Sequence, residues 1–490
     1  MEALENVINF LNDYLSGYIL VALLVGVGLF YTIKTKFVQI RCLGEGFKKS
    51  FKSKGGGNGL SSFQALATAV AAQVGTGNIV GACGAILIGG PGAIFWMWII
   101  AFLGMATNYA EAVLAQQTKS TDENGEVKGG PVYYIRRAFS GKVGKALSTF
   151  FAVAIIIACG FIGAMVQSNS ISSSIGGVFS SFGVDISQYL WIVGVVVAAL
   201  AGIIFIGGIK RIASVTEKIV PIMAILYIIG GILVLLVNIR ALPEAVGSIF
   251  KYAFVPQAIL GGGFGSAIVK AIQKGAQRGL FSNEAGMGST PHAHAQADVE
   301  NPHDQGVVAM VGVFIDTFIV LTLTALIVIT TLYSGSGPLS GIVGSSELSF
   351  NQMASAIGFT DGTMVQQAFQ ITFTNLFGNE AIGNALGSIF VAVCLFFFAF
   401  STIISWNFFG KVNFNYLFGK KATIVYSVIA ILCVFLGSVF KNSFVWGLSD
   451  LFNNLMVIPN VMALFALSSL VVSSLKKDKD ICAEGKISKE

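Results

Sequence analysis

The stretch Gln73-Val74-Gly75-Thr76-Gly77-Asn78 interrupts an otherwise apolar run from Ser62 to Ile88 with two glycines and polar side chains. In hydrocarbon every backbone N–H and C=O needs an internal partner, so unwound backbone persists at membrane depth only where it lines a cavity or meets a polar ligand. The break therefore reads as a binding site within a membrane span. A single glycine is equally well explained by close helix packing, so the reading depends on finding a second break.

The surroundings are those of a polytopic helical membrane protein. Of 490 residues, 54% are hydrophobic and 11% charged, with a mean hydropathy of +0.78; a soluble domain carries roughly 25% charged residues. Uncharged runs of about 20 residues recur, the length needed to cross ~30 Å, which excludes the short alternating strands of a transmembrane barrel. The six cysteines stand singly, with Cys83, Cys159, Cys394 and Cys433 inside apolar runs, so no zinc or redox pair is expected. The acidic N-terminus, with Glu2, Glu5 and Asp13, has neither basic n-region nor cleavage site, so no removable signal peptide is expected.

Apolar length places eleven spans. They run near Gly17–Ile33, Ser62–Ile88, Gly92–Gln116, Ala146–Ser170, Tyr189–Ile206, Ala213–Val237, Val246–Gly279, Gly306–Tyr333, Ala381–Phe409, Thr423–Phe440 and Phe444–Leu475. Segment 34–54 holds seven Lys/Arg against one Glu, and further basic residues fall in 118–145, at Lys210 and Arg211, at Lys411, Lys420 and Lys421, and in the tail. Segments 171–188 and 334–380 have neither Lys nor Arg. The net charge of +6 is thus a topology signal rather than a sign of nucleic acid. It implies a multi-pass protein of the cell membrane, N-terminus outside and C-terminus cytoplasmic, with the lipid bilayer as a partner.

The weakest span, Val246–Gly279, contains Lys251, Lys270, Lys274 and Arg278, and at its centre Gly261-Gly262-Gly263-Phe264-Gly265. Each glycine costs a helix about 1 kcal/mol relative to alanine, so this is read as the second break. With the first helix set aside, the two breaks occupy the first and sixth of ten spans. Paired interruptions of this kind mark secondary transporters built from inverted repeats. The expected division is 1–61 for the extra helix and its basic loop, 62–237 and 238–475 for two five-helix halves, and 476–490 for a cytoplasmic tail.

At Val74-Gly-Thr-Gly-Asn-Ile-Val-Gly81, Gly89-Gly-Pro-Gly-Ala-Ile-Phe-Trp96, Gly104-Met-Ala-Thr107 with Glu111, and Phe281-Ser-Asn-Glu-Ala-Gly-Met-Gly288, the chain resembles the alanine or glycine:cation symporter family, from about residue 15 to 470. The resemblance implies an all-α fold similar to the leucine transporter, with a 5+5 inverted repeat, two broken helices and one extra N-terminal helix. It further implies symport of a small neutral amino acid, alanine or glycine, with sodium or, less often, a proton.

A zwitterion stripped of water needs donors for its carboxylate and acceptors for its ammonium. Half-helix N-termini supply the first and the preceding C-terminal carbonyls the second. Gly75, Thr76 and Gly77 are therefore assigned to the carboxylate, and the carbonyls of Gln73, Gly261 and Gly262 to the amine. Gln167, whose amide both donates and accepts, is either a substrate contact or the cap of a frayed helix end. Phe264 and Trp406, with Ala267 and Ile268, are candidate pocket walls, though most membrane aromatics only pack. Phe398, Ser401 and Thr402 share one helix face; with the carbonyls of Ala71 and Val74 they match the sodium site that the resemblance implies. Such hydroxyls also bond back to their own helix.

Asp316 lies about ten residues into its span, and an intramembrane carboxylate is costly enough to be a functional candidate. It is assigned to coupling with Asn78, by pairing with that amide or the substrate amine, or by taking up a proton; the alternative is a neutral structural carboxyl. Glu111 and Asp450 read as structural. His292, His294 and His303 fall in a polar segment expected to be a cytoplasmic loop, without the partners of a zinc shell. Asn283 and Glu284 are expected to cap helix ends or pair with Arg278. No Walker lysine, zinc motif or Ser/His/Asp spacing supports an enzyme. No cofactor is expected beyond sodium as coupling ion. An exchanger or a channel are the remaining alternatives to symport.

Overall fold

The computed structural model describes residues 2–52, 59–122, 125–254, 264–340, 360, 362–440 and 442–475, without the side chains of 2–4, 17, 264–271, 442 and 443. Among these residues nine helices are long and apolar enough to cross a membrane. They are α1 (Glu5–Lys34), α5 (Ala93–Thr118), α6 (Gly141–Ser181), α7 (Ser187–Phe205), α8 (Gly208–Val237), α12 (Pro302–Tyr333), α14 (Glu380–Phe418), α15 (Lys420–Gly437) and α16 (Phe444–Ala466). A tenth span is the pair α3 (Ser62–Gln73) and α4 (Gly77–Gly89), bent by 50° at the opening motif. Over the expected broken span Val246–Gly279 the described residues form two helices, α9 (Leu242–Phe254) and α10 (Phe264–Asn283). They flank residues outside the description, the expected break at Gly261 and Gly262 among them. The remaining helices used below are α2 (Leu43–Ser50), α11 (Pro291–Ala295) and α13 (Met364–Phe377).

Local chemistry sets both ends of α3. At its start the Ser61 hydroxyl accepts from the Gln64 N–H and the Gln64 amide oxygen accepts from the Ser61 N–H, both at 3.1 Å, a reciprocal capping box. At its end Val74 leaves helical geometry at ψ 83°. The alanines of α3 keep it thin, and Ala65 to Gln73 are all buried, so neighbouring helices approach closely by van der Waals packing, as membrane interiors require. Close approach is explicit where α5 begins: a Cβ on Gly92 would lie 2.2 Å from the Tyr252 carbonyl of α9.

Two irregularities place polar groups at the centre. Helix α12 carries widened turns over Phe314–Leu321, the π-type distortion that often accompanies functional positions, and Asp316 sits in it. After α10 the chain turns through Glu284, Gly286 and Gly288, at φ 59°, 88° and 80°, before α11. Gly286 and Gly288 adopt this left-handed backbone without strain; Glu284 does so as a non-glycine residue.

Candidate functional site

Ending α3 at Gln73 leaves the carbonyls of its last turn without helical donors. The Gly75 N–H goes to the Gln73 carbonyl at 2.9 Å and to the Asn78 amide oxygen at 3.1 Å, and the Thr76 N–H to Gln167 Oε1 at 3.3 Å. The carbonyls of Ala71 and Ala72, which those amides would have met in a continuous helix, receive the Thr402 hydroxyl at 2.9 and 3.4 Å instead. Thr402 Oγ1 also lies 3.0 Å from the Phe398 carbonyl, and Ser401 Oγ lies 2.9 Å from Phe398 O and 3.4 Å from Ala71 O. The structure thus gathers the oxygens of Ala71, Phe398, Ser401 and Thr402, with buried Val74 one turn on. Uncharged hard oxygens of this kind suit an alkali cation. The hydroxyls do bond back to their own helix, but they bond across to α3 as well.

Among the described residues, the segment that meets the first break is the C-terminal end of α10, Phe281 to Asn283. Gln73 Nε2 donates to the Asn283 carbonyl at 2.8 Å, and a Cβ on Gly77 would lie 3.1 Å from Phe281 and from the Ser282 backbone. The turn is held from below: Gly286 and Gly288 N–H groups donate to the two Glu111 oxygens at 3.1 and 3.0 Å, and Asn460 Nδ2 joins at 2.6 Å. Glu284, expected to cap or to pair with Arg278, accepts from Trp406 Nε1 and from the Ser289 hydroxyl. His292 and His294, expected in a cytoplasmic loop, are wholly buried. His292 contacts the Ser289 carbonyl and Asn413, and His294 contacts Gln305. Of these partners only Asn413 lies far along the chain, 121 residues from His292.

Asp316 joins the first break to the end of α10. Asn78 Nδ2 reaches its carboxylate at 2.6 Å and its carbonyl at 3.1 Å. Ser282 Oγ reaches both carboxylate oxygens at 3.0 Å and Thr317 Oγ1 one of them at 2.7 Å. Gln167 is no end cap: its side chain is buried against Thr76. Trp406 lies over Gly163, where a Cβ would come within 2.3 Å of the indole, and edge-on to Phe281 with ring centroids 5.8 Å apart. Thr76 Oγ1 and Gln73 Oε1 are buried without a hydrogen-bond partner among the described residues, an arrangement that costs roughly 1–3 kcal/mol per group unless a ligand meets it. Gly261 and Gly262 lie outside the described residues, as do the side chains of Phe264, Ala267 and Ile268. Glu111, Ser282 and Glu284 are the members that sequence reasoning missed as site residues; the one signal was an acidic residue in an apolar run.

Above the breaks lies a polar cavity of about 1030 Å³, with Asn169, Ser170, Arg278, Trp446 and Asp450 in its lining. Arg278 is 3.4 Å from the Asp450 carboxylate and 4.8 Å from the Trp446 ring centroid, and Trp446 lies tilted against Phe281 with ring centroids 4.8 Å apart. A chain of rings therefore connects the cavity floor to Trp406.

Comparison with known proteins is consistent along the chain. A family model described as the sodium:alanine symporter family matches residues 1–489. A sodium/alanine symporter of Methanococcus maripaludis is 38% identical, over 97% of each chain. An amino-acid carrier protein of Bacillus subtilis is 36% identical over 97% of this chain and 92% of its own, and a probable sodium/glutamine symporter of the same organism 36% identical over 97% and 91%.

Proposed function

We propose, from the premise that this chain belongs to the sodium:alanine symporter family and is a multi-pass membrane transporter rather than an enzyme, that it carries alanine and glycine into the cell together with sodium. The observation that supports this reading is the unwound segment 74–76, buried against the end of α10 and beside the Ser401–Thr402 hydroxyl pair. The N-terminal end of α4 offers the Thr76 and Gly77 N–H groups and a positive dipole end to the substrate carboxylate. Gln167 is the group displaced from the Thr76 N–H as the carboxylate arrives. The Gln73 carbonyl and side-chain oxygen serve the ammonium.

Sodium is assigned to the oxygens of Ala71, Val74, Phe398, Ser401 and Thr402. Occupying it ties α14 to the end of α3, so the ion and the zwitterion order the same break, which is the physical basis of coupling. Asp316 and Asn78 transmit that ordering to the end of α10 through Ser282. The halves 62–237 and 238–475 are proposed as the moving units, since the first break and the glycine run 261–265 then fall in the first span of each. The polar cavity and the N-terminus are assigned to the outside, a reading supported by α1, α6 and α16 reaching that cavity with the ends opposite to their basic flanks. A relative named for glutamine makes substrate size the finer question. The tight contact of Gly75 with Thr402 and Gln167 favours small side chains. Proton coupling is the second reading, carried by buried Asp316.

The ion assignment is tested by Thr402→Ala. Losing one cation ligand of roughly 1.4 kcal/mol raises the half-saturating sodium concentration about tenfold, while the alanine KM at saturating sodium stays within about twofold. Uptake measured against sodium concentration decides it; an unmoved sodium curve would put the ion elsewhere.

A further inference from the structure

We propose that Cys42, Glu45 and His303 bind one borderline-soft divalent transition cation of the zinc type, clamping α2 to the start of α12. The three ligand atoms lie within 4.8 Å of one another although His303 is far along the chain. Cys42 immediately precedes α2 and Glu45 follows at i+3, so both share one side of that turn. His303 Nε2 stands 3.6 Å from Glu45 Oε2.

The ring is already aimed. Tyr109 OH meets His303 Nδ1 at 2.8 Å, the outer-shell contact that fixes a metal-binding imidazole and leaves Nε2 for the ion. The Asn301 side chain accepts the His303 backbone N–H at 3.1 Å and caps α12 there. The competing cation, Lys49, is 3.9 Å from Glu45 but 2.8 Å from Asp304, so it keeps a carboxylate when Glu45 turns to a metal. The helices are pinned against each other, since a Cβ on Gly46 would lie 2.4 Å from the Val307 carbonyl; the frame of the site is rigid.

Thiolate, imidazole and carboxylate together select zinc-like ions over magnesium or calcium, and three protein ligands leave a fourth position for water. Metal–ligand lengths of about 2.0–2.3 Å set ligand atoms roughly 3.3–3.7 Å apart in a tetrahedron. The His303–Glu45 distance of 3.6 Å already fits. Rotation of the partly exposed Glu45 and Cys42 side chains closes the rest.

Cobalt(II) is the probe, titrated into the purified full-length protein in detergent. One equivalent is expected to give a near-ultraviolet thiolate-to-cobalt charge-transfer band that zinc(II) displaces. Cys42→Ser abolishes the band while retaining uptake, and His303→Gln weakens cobalt binding by at least about 100-fold. No band, a band that survives Cys42→Ser, or undiminished binding in His303→Gln overturns the proposal.

Discussion

Gly75→Ala is expected to lower sodium-driven uptake by at least about 100-fold, the scale on which a displacement of 1 Å at a working site is felt. The new methyl would lie 2.4 Å from Thr402 Oγ1, 3.3 Å from Thr402 Cβ and 3.4 Å from Gln167 Oε1. Thr402 cannot yield cheaply, because its β-branched side chain is held by the carbonyls of Ala71 and Phe398. The substitution therefore acts on the proposed ion site and on the proposed carboxylate site at once. Gly26→Ala is the control: its Cβ meets nothing within 4 Å, and uptake should stay near that of the parent. If Gly75→Ala transported normally, the two sites would not share this junction.

Asp316→Asn is expected to lower uptake by at least about 30-fold, since buried donors left without an acceptor cost roughly 1–3 kcal/mol each. The carboxylate accepts from Asn78, Ser282 and Thr317 at 2.6 to 3.0 Å. An amide keeps one acceptor atom and aims its NH2 at groups that themselves donate. Uptake measured from acid to neutral pH separates the two couplings. A level profile in the parent assigns Asp316 to ordering the breaks, whereas a pH dependence that Asp316→Asn removes assigns it to proton uptake. Normal transport in the variant at every pH would remove Asp316 from coupling altogether.

How much of this was legible in the sequence follows from where each partner lies. The first break was readable because two glycines and amide side chains together interrupt an apolar run. The hydroxyls of Ser401 and Thr402 were readable for a related reason, as polar atoms on one face of a long apolar helix. The turn after Asn283 was not readable as part of the interior. It follows a helix with Lys270, Lys274 and Arg278 and precedes Pro291 and two histidines, a pattern that mimics a solvated loop. What makes the later turn part of the interior is Glu111, which accepts from Gly286 and Gly288 from 175 or more residues away. Burial of His292 likewise depends on Asn413. Local composition carries no trace of such distant pairings, so the helical membrane-spanning character was recoverable and the burial of this turn was not.

The central claim is that one junction couples an amino-acid zwitterion to sodium. It is tested most directly by uptake of labelled L-alanine into proteoliposomes at fixed pH, with an inward sodium gradient or with sodium replaced by choline, and with glycine, D-alanine and glutamine as competitors. The account predicts accumulation only with the sodium gradient, inhibited by glycine more strongly than by glutamine. Equal accumulation in choline would contradict it.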